Sequence, residues 1–506
     1  MKLFDLLKRS AAKFPGRTAV IDDACEITYA KLLSNTEQLS KYLKSAGCRP
    51  GVKVAVVLPN SSAYFVGFFA ISACGATIVA MSSKMTVYEA AGFIKRADVS
   101  LVLTEKTFAD NLAEQLGNKE QISIVTIEQN SDGVLKIGIF IQRCPKVDSD
   151  NSDVALMVYT SGTTGQSKIV MLTDDQLISN MFIYKAVMDF EMPNVVYCSL
   201  PLHHIYAICA QVLTHISCGD TFIAMNRPFF IKDFFKAVQN HKVTITAFVP
   251  YMAILMAEYS QPNQFDLSSL KYITLSGAKT PKHVYQKLTN AFDHIKFINT
   301  YGMSEAGSRI SIAAPEPAEF PVESVGKAMP SVAIRITDNR GEVLPAKHIG
   351  QIEVKSSGVF KGYFNQPKLS KGMIVSGWLK TGDIGKLDTQ GNLYLVGRKK
   401  EMIICGGENI FPAEIEETLL ENPSVREAAI IGIPDDRLEE VPCAFVVPGD
   451  SFCSETDIIN FCRKRLSSFK VPRKVFFIEQ LPMLGTSKIN RRKLKDIALD
   501  KLRIDK

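Results

Sequence analysis

The chain has no internal repeat and no long low-complexity tract, which argues against a solenoid and against wholesale disorder. It also has little excess of either charge: 59 Lys and Arg against 52 Asp and Glu leave a formal +7, agreeable to an anionic substrate but too small for nucleic-acid binding to be expected. Its eleven cysteines lack metal-ligand and disulfide-framework spacing. The N-terminus, MKLFDLLKRSAAKF, carries charges where a secretory signal needs an apolar core, so a cytoplasmic protein is expected. One stretch of 18 uncharged residues, YFVGFFAISACGATIVAM at 64–81, has the length of a membrane span. It reads better as two buried elements, a helix ending near Gly75 and a short β-branched strand at Thr77, Ile78 and Val79. No stable membrane insertion is expected.

What is present fits an α/β protein of more than one domain, since 506 residues exceed what one core supports. Between residues 26 and 300, apolar runs of strand length (54–58, 101–103, 244–249, 272–275) alternate with amphipathic segments of helix length such as 29–46 and 231–240. Residues 322–396 change to short alternating runs (332–337, 350–355, 393–396) with turn signals at Gly341 and Gly391, predicting a β-rich subdomain. After GRKK at 397–400 a helix is predicted at 412–420, with Pro412 in its first turn and acids at its positive end. A strand at 428–432, a helix at 455–466 and a strand at 475–478 complete a small α+β unit. The expected architecture is a large multi-subdomain α/β N-terminal domain over 1–396, a hinge at 397–401 and a small mobile α+β lid over 402–506.

The tract YTSGTTGQSK at 159–168 follows the apolar run 154–158 and looks built for a polyphosphate. Gly162 and Gly165 permit close backbone approach, Thr160, Ser161, Thr163 and Thr164 supply hydroxyl donors, and Lys168 adds a point charge. It is not the P-loop that opens a helix, because the glycines are three apart and residues 169–172 read as a second strand.

Taken with four other tracts, this loop resembles the adenylate-forming superfamily of acyl- and aryl-CoA synthetases. The others are YGMSEAG (301–307), GWLKTGDIG (377–385), GRKKEMIICGGENIFPAEIE (397–416) and GTSKINRRKL (485–494), in order across nearly the whole chain. The resemblance implies that a carboxylate attacks the α-phosphorus of ATP to give an acyl adenylate and pyrophosphate, and that a thiol then takes the acyl group. Such chemistry needs positioning and charge neutralisation rather than a protein nucleophile.

By the same resemblance, Tyr301 stacks on adenine, Ser304 donates to the α-phosphate and Glu305 helps hold Mg²⁺. Asp383 accepts from the ribose hydroxyls with Arg398 as donor companion. Lys488 bridges the attacking carboxylate and the α-phosphate, and Lys400 is the pivot of the small domain. The Cys405, Gly406 and Gly407 strand then lines a narrow tunnel for the pantetheine thiol. The chain departs from the family pattern at Ser304, more often Thr, at Ser487 and Ile169, both more often Gly, and at Ser167, more often Pro.

The tract LPLHHIYA at 200–207 contains no acid to pair a substrate ammonium, so an acid without an α-amino group is expected. It resembles hydroxycinnamate- and medium-chain-acyl-CoA ligases, which places His204 beside the carboxylate and thiol route and Ile205 and Tyr206 on the acyl pocket. Ser276, Gly277, Ala278 and Thr300 are further walls, and Thr300, where Gly is common, favours a flat aryl or arylpropenoic acid or a short-to-medium acyl chain over a long fatty acid. The acceptor implied is CoA, with a phosphopantetheinyl carrier protein as the alternative; a non-catalytic nucleotide-binding protein is the reading from another class.

Overall fold

The computed structural model describes residues 1–504 apart from 117–121, 142, 144, 161–167, 189–192, 314–320, 322, 436, 450, 452 and 484–488. Two large sheets organise the first three hundred residues. In one, strands Lys53–Val57, Thr77–Ala80, Leu101–Thr104, Ser123–Gln129 and Val154–Thr160 run parallel. Lys168–Thr173 then turns back antiparallel on Val154–Thr160, with Thr160 opposite Lys168. In the other, Thr18–Asp22, Thr221–Ala224, Val195–Tyr197, Ile245–Phe248, Tyr272–Leu275 and Lys296–Tyr301 are parallel. Strands buried on both faces read as continuous apolar runs, which is why those at 53–57, 77–80, 101–104, 154–160, 245–248 and 272–275 were visible in the sequence, whereas 18–22, 123–129, 195–197, 221–224 and 296–301 were not read as strands.

The uncharged stretch resolves as expected, into helix Ser62–Ala73 and strand Thr77–Ala80 separated by Gly75 at φ +68°. Ser61 caps the helix by accepting from the Tyr64 amide. Among the described residues no helix is long and apolar enough to cross a membrane. Their cysteines are all buried and free of disulfides.

The β-rich region contains Ala333–Thr337, Gly350–Lys355, Trp378–Leu387 and Leu393–Arg398 in one antiparallel sheet. The ladder sets Asp383 directly opposite Arg398. Beyond it, helix Pro412–Leu420, strands Val425–Asp435, Glu439–Pro448 and Lys474–Phe477, helix Glu455–Arg463 and helix Arg491–Ile504 enclose a separate apolar core between residues 403 and 498. The remaining apolar clusters all lie before residue 394. Residues 399–401 form one 3₁₀ turn between the two regions.

Candidate active site

The hairpin Val154–Thr160 and Lys168–Thr173 carries the phosphate-loop tract at its tip. Ser161, Gly162, Thr163, Thr164 and Gly165 lie outside the described residues, as does Lys488; Thr160 and Lys168 mark where the loop leaves and re-enters the sheet. The Lys168 ammonium sits 4.9 Å from the centre of the Tyr363 ring. Tyr363 is brought there because strand Gly362–Tyr363 pairs with Lys168–Thr173, Tyr363 opposite Val170. Its hydroxyl donates to Glu305 Oε1 at 2.7 Å. Burial first, then the Glu305 carboxylate, pushes that phenol well above its ordinary pKa, so it stays a donor.

Glu305 lies in the single turn Ser304–Ala306, and Gly302 is what lets this turn close. A Cβ on Gly302 would fall 1.4 Å from the Ser308 carbonyl oxygen, so only glycine fits. Oε2 of Glu305 takes no hydrogen bond from the described residues. A single carboxylate oxygen suits Mg²⁺, which keeps several waters and shares substrate phosphate oxygens, and no all-protein cage of three or more His, Cys, Asp or Glu exists among the described residues.

A second cluster adjoins the first. Asp383 is buried and receives the Tyr301 hydroxyl on Oδ2 at 2.6 Å and Arg398 Nε on Oδ1 at 2.9 Å. Burial, then Asp383, raises the Tyr301 pKa well above its ordinary range. Burial works against the Arg398 cation, but Asp383, Glu401, Tyr301 and Glu305 outweigh it and hold its pKa up. An ionised carboxylate has about four acceptor directions. Two remain on Asp383 for a vicinal diol. Partial burial of its ammonium and then the Arg398 cation lower the Lys400 pKa, with Glu401 and Asp383 pulling the other way and Lys168 adding to the depression. Lys400, expected from the resemblance to be the pivot, thus shares a field with both clusters.

The residues expected on the acyl side are partly brought together. His204 precedes the short helix Ile205–Ala207, which runs into the π-helix Ile208–Leu213. Tyr206 shares a 2.8 Å hydrogen bond with Thr274 Oγ1, and Thr300 is buried beside it with its hydroxyl donating to the Leu275 carbonyl at 3.3 Å. Ser276 is half-buried and Gly277 and Ala278 are exposed. Gly406 and Gly407 are not part of a strand. The strand ends at Cys405, and both glycines have positive φ (+58° and +84°) because a two-residue hairpin turn into Glu408–Ile410 requires it.

Two residues that the sequence reading missed stand out. Tyr363 links Lys168 to Glu305 through contacts made by strand pairing, for which no local spacing exists. Arg309, two residues past the YGMSEAG tract, is 1% exposed, and none of its three guanidinium nitrogens has a hydrogen-bond partner. Its guanidinium carbon lies 3.3 Å from the centre of the Tyr184 ring and 6.0 Å from that of Tyr206. Leaving a buried cation without its counter-charge costs about 3–5 kcal/mol, and a ring face returns about 2.

Open acceptor positions on Asp383, a carboxylate oxygen on Glu305 and Lys168 where the loop re-enters the sheet stand on an α/β scaffold followed by a small domain, the arrangement that the resemblance to adenylate-forming enzymes leads one to expect. The AMP-binding enzyme model matches residues 7–364 and the AMP-binding enzyme C-terminal domain model residues 414–488, and the chain belongs to this family. It is 32% identical to an oxalate–CoA ligase of Arabidopsis thaliana over 99% of both chains. It is 30% identical to a 4-coumarate–CoA ligase of Nicotiana tabacum over 96% of this chain and 92% of that one. The fold superimposes on o-succinylbenzoate CoA synthetase of Bacillus subtilis in complex with its acyl-adenylate intermediate, with TM-score 0.84 at 27% identity over 98% of each chain. The same enzyme has been solved with ATP and a magnesium ion.

Proposed function

We propose that the protein activates a carboxylic acid lacking an α-amino group, of aryl, arylpropenoic or short-to-medium acyl type, and passes it to the thiol of CoA in the cytoplasm. It is an AMP-forming acid–thiol ligase that uses ATP, Mg²⁺ and CoA. The observation that carries the reading is the junction of the Tyr301–Asp383–Arg398 cluster with the Glu305–Tyr363–Lys168 chain, which offers one place for a ribose and one for a metal-bound polyphosphate.

In this reading Asp383 and Arg398 fix the ribose, Tyr301 supports adenine, and Ser304 donates to the α-phosphate. Magnesium, when bound at Glu305, neutralises phosphate charge. Thr160, the loop residues 161–165 and Lys168 hold the departing pyrophosphate. Lys488 offsets the charge that builds as the acid carboxylate attacks the α-phosphorus. His204 borders the route by which the thiol reaches the acyl carbon. The small domain, covering 402–506, turns about Lys400 in the hinge 397–401 to exchange Lys488 for the Gly406 and Gly407 turn between half-reactions. A phosphopantetheinyl carrier protein is the alternative acceptor, since its arm ends in the same thiol.

ATP–pyrophosphate exchange over a panel of aryl, cinnamic and aliphatic acids tests this, with Lys488→Ala alongside and CoA then added. We expect exchange with one acid class, a loss of about 10²-fold or more in the variant, and a CoA thioester as product. Exchange without a CoA thioester redirects the reading to a carrier protein, and exchange with no acid overturns it.

A further inference from the structure

Arg309 is the one guanidinium among the described residues that is buried with all three nitrogens unpartnered. Among the described residues no carboxylate lies within ion-pair distance of it. Native proteins seldom leave such a group, and where they do the group commonly has a partner that arrives with a ligand. Its place is informative. The cation rests on Tyr184 of helix Asp174–Met188 and lies 6.0 Å from the ring centre of Tyr206, whose hydroxyl is engaged with Thr274 next to Thr300. Its backbone is fixed as well: the Arg309 carbonyl accepts from Asn180 Nδ2 at 3.1 Å, and the next amide, of Ile310, donates to the Tyr301 carbonyl at 2.8 Å. The side chain is thus tied at its root to the adenine cluster and ends beside the expected acyl-pocket wall.

We propose that Arg309 recognises a second acidic group on the substrate, so that the acid activated is a dicarboxylic acid, bound through one carboxylate at the reacting end and the other at Arg309. This rests on the ligase reading and specifies its substrate class. A planar guanidinium presents paired donors that match a carboxylate, and the Tyr184 face below it pre-orients the plane at no cost in donors. A monocarboxylic acid of the same length would leave the cation as it stands, buried and unpaired. A site built around a polar partner rejects the analogue that lacks it far more strongly than an apolar pocket rejects a missing methylene.

The test compares kcat/KM in pyrophosphate exchange for an α,ω-dicarboxylic series from oxalate upward, and for aryl diacids, each against its half methyl ester. It uses the full-length wild type, Arg309→Met and Arg309→Lys. We expect the wild type to favour at least one diacid over its half ester by about tenfold or more. Arg309→Met should bring that ratio to about one while turnover of the half ester is kept, and Arg309→Lys should fall between because the charge stays but the fork is lost. A wild type that favours no diacid over its half ester overturns the proposal and leaves the ligase reading standing; so does a diacid preference unchanged in Arg309→Met. Should Arg309→Met fail to fold, the wild-type ratio alone decides. Silence with every acid overturns the ligase reading and this inference together.

Discussion

Replacing Tyr363 by Phe removes one hydroxyl from Glu305 while keeping the ring face under Lys168. A hydrogen bond to a charged group contributes about 1.5–3 kcal/mol, so about a tenfold or greater fall in exchange rate is expected, visible as a raised requirement for magnesium in a titration. A titration of stability reads a different residue. Burial, then the neighbouring His204 and Lys84, hold the His203 pKa well below its ordinary value. The folded protein therefore carries His203 neutral at pH 7, whereas the unfolded chain protonates it near pH 6.5. Below about pH 6.5 the unfolded state takes up a proton that the folded state refuses, and stability is lost as pH falls, by up to about 1.4 kcal/mol per unit. His203→Phe should flatten that slope in melting curves taken between about pH 7.5 and about pH 5.5. Arg309 and Tyr363 escaped the sequence for a shared reason: a lone Arg and a lone Tyr say nothing of burial or of partners that strand pairing brings from a distance.

At the scale of elements, Gly302 decides whether the Glu305 turn closes. Gly302→Ala sets a methyl against an immovable carbonyl at 1.4 Å, so a loss of about 3 kcal/mol or more and failure to bind ATP in calorimetry are expected. Several strands of the two large sheets were legible because burial on both faces writes continuous apolar runs; 272–275 was predicted with the bounds observed for Tyr272–Leu275, and the helix at 412–420 with those of Pro412–Leu420. Trp378–Leu387 was not read as a strand. Its glycines and charges break the alternation, and its pairing with Leu393–Arg398 shifts register between Ile384 and Gly385. Glu439–Pro448 was missed as well, since prolines at both 442 and 448 demote a run that is nevertheless buried along most of its length. Thus Asp383 was legible as a motif residue, yet the ladder that sets it opposite Arg398 was not.

For the molecule as a whole, Arg491 is the principal rivet of the small domain. It forms a two-pronged pair with Glu416, donates to the Ile430 carbonyl and reaches Glu401 at 3.3 Å, joining the last helix to the first and both to the linker turn. The side chains are mostly buried, and stripping one partner strands the other, so Arg491→Ala should destabilise this domain by about 3 kcal/mol. Differential scanning calorimetry should show one domain melting earlier while the other keeps its transition, because the apolar cores are separate. The separation of the site's parts along the chain also has a consequence during synthesis. Lys168 meets Glu305 only through Tyr363, and Asp383 finds Arg398 only on the next strand. At about 5–20 residues per second, roughly 10–40 s pass between the emergence of Lys168 and that of Asp383 from the ribosome. When Lys168 emerges, strands such as Thr18–Asp22 still lack a partner that will flank them, and until Asp383 and Arg398 follow the two clusters of the candidate site stay incomplete.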